Sequence, residues 1–216
     1  MKVDIRVYAV LDPARCRGRP LGEMAAVAAR GGATLLQYRD KAGSTRSLIE
    51  AANEIGRALA PFGVPLLIND RVDVTLAVGC AGVHVGAEDM PAADARRLLG
   101  PEAIVGCTVH TAEEADGVPG GILDYVSVGG VFATASKHNP HSPIGLEGVR
   151  TLIARLPELP VCAIAGIDHT NAAEVIAAGA DGVAVISDIF MAEDVTAATR
   201  RLRGIVDAAL GELSRS

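Results

Sequence analysis

Two segments show the repeating unit of this sequence most clearly: Leu66-Leu67-Ile68-Asn69-Asp70-Arg71 and, further along the chain, Gly82-Val83-His84-Val85-Gly86-Ala87-Glu88-Asp89. Each segment begins with a short apolar run, typical of a buried strand, and leads into carboxylates. Residues 72–78 between them have the composition of a short helix that ends at Gly79. The order strand, helix, strand predicts two parallel strands whose acidic ends meet at one edge of a sheet.

Asp70 and Asp89 admit two interpretations at this point. Neighbouring strands lie about 4.8 Å apart, so two carboxylates at their ends could share one hard cation. Asp is also a favoured N-cap, so each residue could instead cap the helix that follows it. These two residues alone do not favour either interpretation.

The same alternation of apolar runs and Ala-rich amphipathic segments extends along the whole chain and gives eight strand–helix pairs. The predicted strands are 6–11, 35–39, 65–69, 82–85, 103–108, 125–128, 160–165 and 182–186. The predicted helices are 21–30, 45–60, 72–78, 92–99, 111–116, 146–156, 170–178 and 195–213. Three helix-to-strand turns share one form, a glycine followed directly by an apolar strand, at 29–35, 78–83 and 178–183.

This pattern predicts the α/β class, and within it a (β/α)8 TIM barrel formed by a single domain over residues 1–216. A doubly wound open sheet fits less well, because no Gly-x-Gly-x-x-Gly motif follows the first strand. In a barrel, functional residues lie in the loops after the strands, which directs attention to those loops.

The composition of the chain excludes some classes of binding partner and indicates a cellular compartment. The net charge of −6 argues against a nucleic-acid-binding surface, and no apolar run reaches the roughly 20 residues that span a membrane. None of the four cysteines forms a Cys-x-x-Cys pair, and charged residues interrupt the start of the chain where a signal peptide would be apolar. We therefore expect a reduced, cytoplasmic protein.

The second predicted strand leads into Gln37, Arg39 and Lys41, which alternate and so should point to one side. Two cations and an amide aimed together suit an anionic ligand. The alternative is a solvated basic loop with ion pairs to Asp40 or Glu50.

The longest predicted loop, residues 129–145, contains a phosphate-binding combination. Two glycines are followed by the hydroxyls of Thr134 and Ser136 and by Lys137. Long loops in compact domains are more often functional than idle. A second anion zone is predicted at Gly166, Ile186 and Ser187, after the seventh and eighth strands, where many barrels bind phosphate. Gly166 is also explained by a plain tight turn.

The histidines are weaker signals. His84 lies within a strand and is expected to be a satisfied core or rim residue, and His110 follows the fifth strand as a lone histidine. His138 and His141 are close together but lack the further ligands of a zinc site. No Cys or Ser with an adjacent base and no lysine inside an apolar strand stands out, so metal-assisted departure of a diphosphate fits better than covalent catalysis.

Six motifs resemble the thiamine-phosphate synthase family, in order and spacing from the second strand to the last. They are Gln37-Tyr38-Arg39-Asp40-Lys41, Asn69-Asp70-Arg71-x-Asp73, Gly82-Val83-His84-Val85-Gly86-x-x-Asp89, Gly106-x-Thr108-x-His110, Gly129-Gly130-Val131-Phe132-x-Thr134-x-Ser136-Lys137 and Ala163-Ile164-Ala165-Gly166-Ile167. Each motif alone is weak, and the six together are specific.

The resemblance implies that a hydroxymethylpyrimidine diphosphate is joined to a thiazole monophosphate, with release of pyrophosphate, through a dissociative mechanism. It implies pyrimidine diphosphate binding by Gln37, Tyr38, Arg39, Asp40, Lys41, Asn69, Thr108 and Lys137, of which Lys137, Thr108 and Arg39 act in catalysis. It implies Mg²⁺ binding by Asp70 and Asp89, and thiazole phosphate binding by Thr134, Ala135, Ser136, Gly166, Ile186 and Ser187. The predicted partners are these two substrates, with a homo-oligomer left open.

Two alternatives share the barrel. Thiazole tautomerases resemble these enzymes but tend to carry a histidine where this chain has Gly130, and they lack the full pair that Asp70 and Asp89 provide. A thiamine-phosphate-binding regulatory protein should have lost the diphosphate residues, yet Arg39, Lys41 and Lys137 are present. Another phosphate-binding barrel, such as an aldolase, would not explain the aspartates. Ala87 departs from the family pattern, where a glutamine is common.

Overall fold

The computed structural model describes residues 3–134 and 142–213. Eight parallel strands close into a barrel in the order β1 to β8, so every strand pairs with its sequence neighbours and β8 pairs with β1. The strands are β1 Val7–Leu11, β2 Leu35–Tyr38, β3 Leu66–Asn69, β4 Gly82–Val85, β5 Ile104–Val109, β6 Tyr125–Val128, β7 Val161–Ile164 and β8 Gly182–Val185. The predicted TIM barrel is confirmed.

The helices surround the barrel. They are α1 Leu21–Gly31, α2 Thr45–Leu59, α3 Val72–Val78, α4 Ala92–Leu99, α5 Ala112–Asp116, α6 Gly145–Ile153, α7 Ala172–Ala177, α8 Ser187–Phe190 and α9 Val195–Leu213. Of the 32 predicted ends, 17 agree with the structure and 15 shift by one to three residues, because helix and strand ends depend on capping and register. The structure adds α8, whose four residues are too few for a detectable period.

Local chemistry explains several helix ends. Ser44 caps α2, since its hydroxyl accepts the backbone N–H of Ser47 at 3.2 Å. Helix α1 ends at Gly32, whose φ of 108° suits a residue without a side chain. None of the described helices is long and apolar enough to cross a membrane.

The core has two layers, as the alternation of side chains along each strand requires. One face of the strands packs against the helices in a large apolar cluster. The other face fills the barrel interior and includes Tyr8, Val10, Leu67, Tyr125 and Cys162. Two large side chains, Tyr8 and Tyr125, thus lie buried inside the barrel.

Candidate active site

A cavity of about 1150 Å³ opens at the carboxyl ends of the strands, since every strand and most of the loops that follow the strands contribute to its lining. Eleven of the predicted site residues line it: Gln37, Arg39, Lys41, Asn69, Asp70, Asp89, Thr108, Thr134, Gly166, Ile186 and Ser187. Ala135, Ser136 and Lys137 lie outside the described residues, as do His138 and His141. The site therefore lies at the face where barrel enzymes carry their chemistry.

Two predicted site residues, Tyr38 and Asp40, are not among the described residues that line the cavity. Tyr38 packs in the cluster between barrel and helices, because it alternates with the inward-facing Gln37. Asp40 accepts the backbone N–H groups of Ala42 at 2.9 Å and Gly43 at 3.0 Å. These contacts shape the loop after β2, which carries Arg39 and Lys41.

The two predicted aspartates meet at the mouth of the cavity. Asp70 has a φ of 62°, and its backbone N–H donates to the His84 carbonyl at 2.8 Å, which ties the end of β3 to β4. The Asn69 side-chain amide donates to the Asp70 carboxylate at 2.6 Å, and Lys41 forms an ion pair with the same oxygen. Left-handed backbone at a residue other than glycine costs free energy and is concentrated at functional sites.

The capping interpretation of these aspartates is wrong. Helix α3 begins after Arg71 and helix α4 begins after Pro91, and neither helix has a side-chain cap at its N-terminus. The Asp89 carboxylate instead accepts the backbone N–H of Gly86 at 2.8 Å, within its own loop. Both carboxylates are therefore held at the cavity by the loops and not by the helices.

Proximity of the two acids perturbs their ionisation. Burial and a hydrogen bond to the Asp89 carboxyl raise the pKa of Asp70, and Lys41 opposes this shift. Two carboxylates that disfavour each other's charge are stabilised by a cation between them, and Mg²⁺ commonly takes one or two carboxylates plus substrate oxygens. The described residues contain no cluster of three or more His, Cys, Asp or Glu side chains that could hold a metal by itself. The pair therefore fits a divalent ion only if other ligands, such as substrate oxygens or water, complete its coordination.

Two cationic side chains, Arg39 and Lys41, follow β2 and line the same cavity. The Arg39 guanidinium pairs with Asp12 at 2.5 Å, and both side chains are largely buried, at 14% and 10% exposure. Asp12 is fixed in turn by the backbone N–H of Ala14, at 2.9 Å. This arrangement holds the Arg39 side chain in place, whereas Lys41 is more exposed and reaches Asp70. Neither cation pairs with Asp40 or Glu50, the partners that a solvated basic loop would offer.

The predicted second anion zone lies between β7 and β8. Ala165 has a φ of 94° and Gly166 a φ of 67°, so the backbone turns sharply after β7. A Cβ at Gly166 would lie 2.5 Å from the Ala133 carbonyl oxygen, which makes glycine necessary for packing as well as for the turn. Ser187 begins the short helix α8 on the neighbouring side of the cavity.

Nucleophilic cysteine chemistry has no support. None of the four cysteines lines the cavity formed by residues 3–134 and 142–213. Burial raises the pKa of Cys16 and Cys107 to about 11 and that of Cys162 to about 12, so these thiols stay protonated.

Comparison with known proteins gives one family. The model of the family described as thiamine monophosphate synthase matches residues 7–189. The thiamine-phosphate synthase of Agrobacterium fabrum is 54% identical over 213 residues, 97% of each chain, and that of Chloroflexus aurantiacus is 48% identical over 204 residues, 94% of each chain. The chain belongs to the thiamine monophosphate synthase family. It is accordingly an enzyme of the transferase class.

A solved structure agrees with this thiamine monophosphate synthase assignment. Thiamine phosphate pyrophosphorylase from Pyrococcus furiosus superposes with a TM-score of 0.86 at 38% identity, over 97% of this chain and 99% of that one. The family resemblance drawn from the six sequence motifs is thereby confirmed.

Several residues at the cavity of this thiamine monophosphate synthase family member are not predicted by sequence reasoning. Tyr8 lines the cavity from β1, two residues before Val10, so a period-of-two reading of β1 could have placed it inside the barrel. Asp188 shares a 2.8 Å hydrogen bond with His169, and its other carboxylate oxygen is buried without a partner among the described residues. No sequence pattern marks Asp188, because the short helix that carries it has no detectable period.

Proposed function

We propose that this enzyme is a thiamine-phosphate synthase that joins 4-amino-2-methyl-5-(diphosphooxymethyl)pyrimidine to 4-methyl-5-(2-phosphooxyethyl)thiazole and releases pyrophosphate. The observation that carries the proposal is the adjacent pair of carboxylates, Asp70 and Asp89, with Arg39 and Lys41 in the same cavity. Two carboxylates with cationic side chains in the same cavity suit a metal-bound diphosphate better than a monophosphate, because a monophosphate needs no pair of carboxylates.

Asp70 and Asp89 would hold the metal, which we infer to be Mg²⁺. When bound, the ion supplies charge neutralisation for the diphosphate leaving group. Without the ion, burial and the neighbouring Asp89 carboxyl raise the pKa of Asp70, so a cation bound between the two carboxylates would stabilise their charged forms. The donor set is made of oxygens only, as magnesium prefers.

The other residues act on the departing diphosphate. Arg39, Lys41 and Lys137 would place positive charge around it, and the Thr108 hydroxyl would donate a hydrogen bond, while Asn69 would position the Asp70 carboxylate. Such preorganised charge is usually the largest catalytic contribution. In the proposed dissociative mechanism the diphosphate leaves first, and the thiazole nitrogen then attacks the pyrimidine methylene cation. The absence of a cysteine from the described cavity lining is in keeping with a reaction that has no cysteine-bound intermediate.

The thiazole phosphate would occupy the second zone. Gly166, Ile186 and Ser187 line that side of the cavity, with Thr134 nearby in the long loop. Ala135 and Ser136 follow Thr134 in the sequence and complete the proposed set. Two anion zones on one cavity would bring the nucleophilic ring and the electrophilic methylene together without a covalent enzyme intermediate.

The test is to incubate the purified enzyme with both substrates, with Mg²⁺ or with a chelator, and to quantify thiamine phosphate by chromatography. Formation of thiamine phosphate only with the metal supports the proposal, and its loss in Asp70→Ala supports the metal assignment. Full activity of Asp70→Ala in chelator would refute that assignment. Isomerisation of the thiazole without condensation would identify a tautomerase instead.

Substituents that change the electron density of the pyrimidine ring test separately whether the diphosphate leaves before the thiazole attacks. An electron-withdrawing substituent on the ring should slow product formation sharply if a methylene cation forms first. A rate that is unchanged or increased would indicate direct displacement by the thiazole.

A further inference from the structure

Five side chains form a continuous hydrogen-bonded chain across the barrel interior beneath the cavity. The Gln37 amide nitrogen donates to the Tyr8 hydroxyl at 2.5 Å, and the Tyr8 and Tyr125 hydroxyls lie 2.8 Å apart. The Tyr125 hydroxyl lies 2.8 Å from His84 Nδ1, and His84 Nε2 lies 2.7 Å from the Thr108 hydroxyl. The ends of this chain, Gln37 and Thr108, both line the cavity.

The distances alone leave the donor open in the Tyr8–Tyr125 bond and in both His84 bonds, and donation by Gln37 gives all of them one consistent direction. The Tyr8 oxygen accepts from Gln37, so its own O–H is free to donate to Tyr125. The Tyr125 O–H then donates to His84 Nδ1, and a neutral imidazole with an acceptor at Nδ1 carries its proton at Nε2. His84 therefore donates to Thr108, whose own O–H remains for a ligand.

The middle of the chain is built to stay in place. Tyr8 and Tyr125 are fully buried, and burial raises the pKa of both hydroxyls, which therefore keep their protons. The His84 ring stacks on Tyr125, with centroids 5.6 Å apart and planes at 25°. A Cβ at Gly106 would collide with the Tyr125 ring, so a glycine on β5 leaves the space that this tyrosine fills.

We propose that Tyr125 is a positioning residue that fixes the tautomer of His84, and that the chain thereby couples Gln37 to Thr108. In this order the Gln37 amide oxygen is presented to the cavity as an acceptor, and the Thr108 hydroxyl is presented as a donor. The inference rests on the proposed function for the identity of the ligand, since an amino group on the pyrimidine would donate to Gln37 while a diphosphate oxygen would accept from Thr108.

The coupling predicts how the substrate class is selected. An oxo analogue of the pyrimidine presents an acceptor where the amino substrate presents a donor. To bind it, Gln37 would rotate its amide, and every bond of the chain would reverse. Thr108 would then donate to His84 and no longer to the diphosphate. The oxo analogue would thus bind more weakly than the amino substrate and would also release its diphosphate more slowly.

The tautomer can be read directly by ¹⁵N long-range NMR of the imidazoles in the full-length protein, with His84 assigned by His84→Gln. The wild type should show Nε2 protonated and Nδ1 unprotonated. Tyr125→Phe should shift His84 towards a mixture of tautomers. Tyr8→Phe should keep the wild-type tautomer, because the buried Tyr125 hydroxyl proton then has only His84 to bind. A wild type protonated at Nδ1, or a Tyr125→Phe spectrum equal to the wild type, would overturn the proposal.

Kinetics supply the second readout. The ratio of kcat/KM for the amino substrate to that for the oxo analogue should fall by about three- to tenfold in both Tyr8→Phe and Tyr125→Phe, the loss expected for one hydrogen bond. KM for the thiazole phosphate should not change. Thr199→Val removes an equally buried hydroxyl bond, 2.7 Å to the Val195 carbonyl in α9, and should leave the ratio unchanged.

Failures of the two proposals are distinguishable. Unchanged discrimination in both phenylalanine variants would overturn the coupling, and Tyr8→Phe alone decides it if Tyr125→Phe does not fold. If the wild type makes no thiamine phosphate, the proposed function fails, and the NMR spectra still decide whether the chain is ordered as described.

Discussion

The substitution Asp89→Asn should change the stability and the activity of the enzyme in opposite directions. The substitution keeps the shape of the side chain and an oxygen that can accept the Gly86 N–H, now at 2.8 Å. It removes one of two adjacent negative charges, the other being Asp70, whose pKa is raised by burial and by the Asp89 carboxyl. Without divalent metal, the variant should therefore be more stable than the wild type at neutral pH.

The magnitude is a Coulomb estimate for two carboxylates close enough to form a hydrogen bond with each other. Two unit charges about 4 Å apart interact by about 1 kcal/mol in water and about 4 kcal/mol near a protein surface. Because Lys41 offsets part of this repulsion, we expect a gain near the lower value, about 1 kcal/mol. For a chain of this size that gain corresponds to a rise in Tm of about 2–4 °C.

Unfolding in chelator and in excess Mg²⁺, together with turnover, checks this prediction. Mg²⁺ should stabilise the wild type against unfolding, and Asp89→Asn should lose most of that stabilisation. The kcat/KM of Asp89→Asn should fall at least about 100-fold, since even residues that only hydrogen-bond to a metal ligand change metal affinity or activity by about 10–100-fold. Glu88→Gln removes a neighbouring exposed charge and serves as the control. Asp89→Asn less stable than the wild type in chelator, or with an undiminished Mg²⁺ response, would show that the two carboxylates neither repel each other nor share a metal.

Three further predictions concern the same cavity. In chelator, the free energy of unfolding of the wild type should fall as pH rises from the ordinary carboxyl pKa through the raised pKa of Asp70, because the folded state keeps that proton to a higher pH than the unfolded state. Urea unfolding at a series of pH values should show this decrease, and Asp89→Asn should make it smaller. Lys137→Ala should raise KM for the pyrimidine diphosphate far more than KM for the thiazole phosphate, and equal losses would contradict two separate zones. Gly166→Ala should cost about 1–3 kcal/mol of stability and weaken thiazole phosphate binding, because its φ is 67° and Ala133 leaves no space, whereas Gly18→Ala, at a φ of 72° in open space, should not affect binding.

The barrel was accessible to sequence reasoning because its signals are local. The apolar run that ends at Asn69 and the glycine turn at Gly79 each specify one strand or one helix end without reference to distant residues. Repetition of such units then leaves few ways to bury every strand. The single-domain boundary and the roles of individual site residues remain predictions.

Interactions between distant strands were not accessible in the same way. The 2.8 Å bond between Tyr8 and Tyr125 joins residues 117 positions apart, and the pairing of Arg39 with Asp12 also depends on which strands adjoin. Alternation separates Gln37 from Tyr38 once the strand is known, yet the family motif groups both as ligand residues. Register around the closed barrel supplies what the one-dimensional pattern lacks.

The most direct test of the central claim is a ³¹P NMR time course of the enzyme with both substrates and Mg²⁺. We expect the diphosphate signals of the pyrimidine substrate to be replaced by pyrophosphate, in equal amount to the thiamine phosphate formed. We also expect Asp70→Ala and Asp89→Ala to remain folded and to release little of either product. Release of pyrophosphate without thiamine phosphate, or turnover in the two variants equal to the wild type, would contradict the central claim.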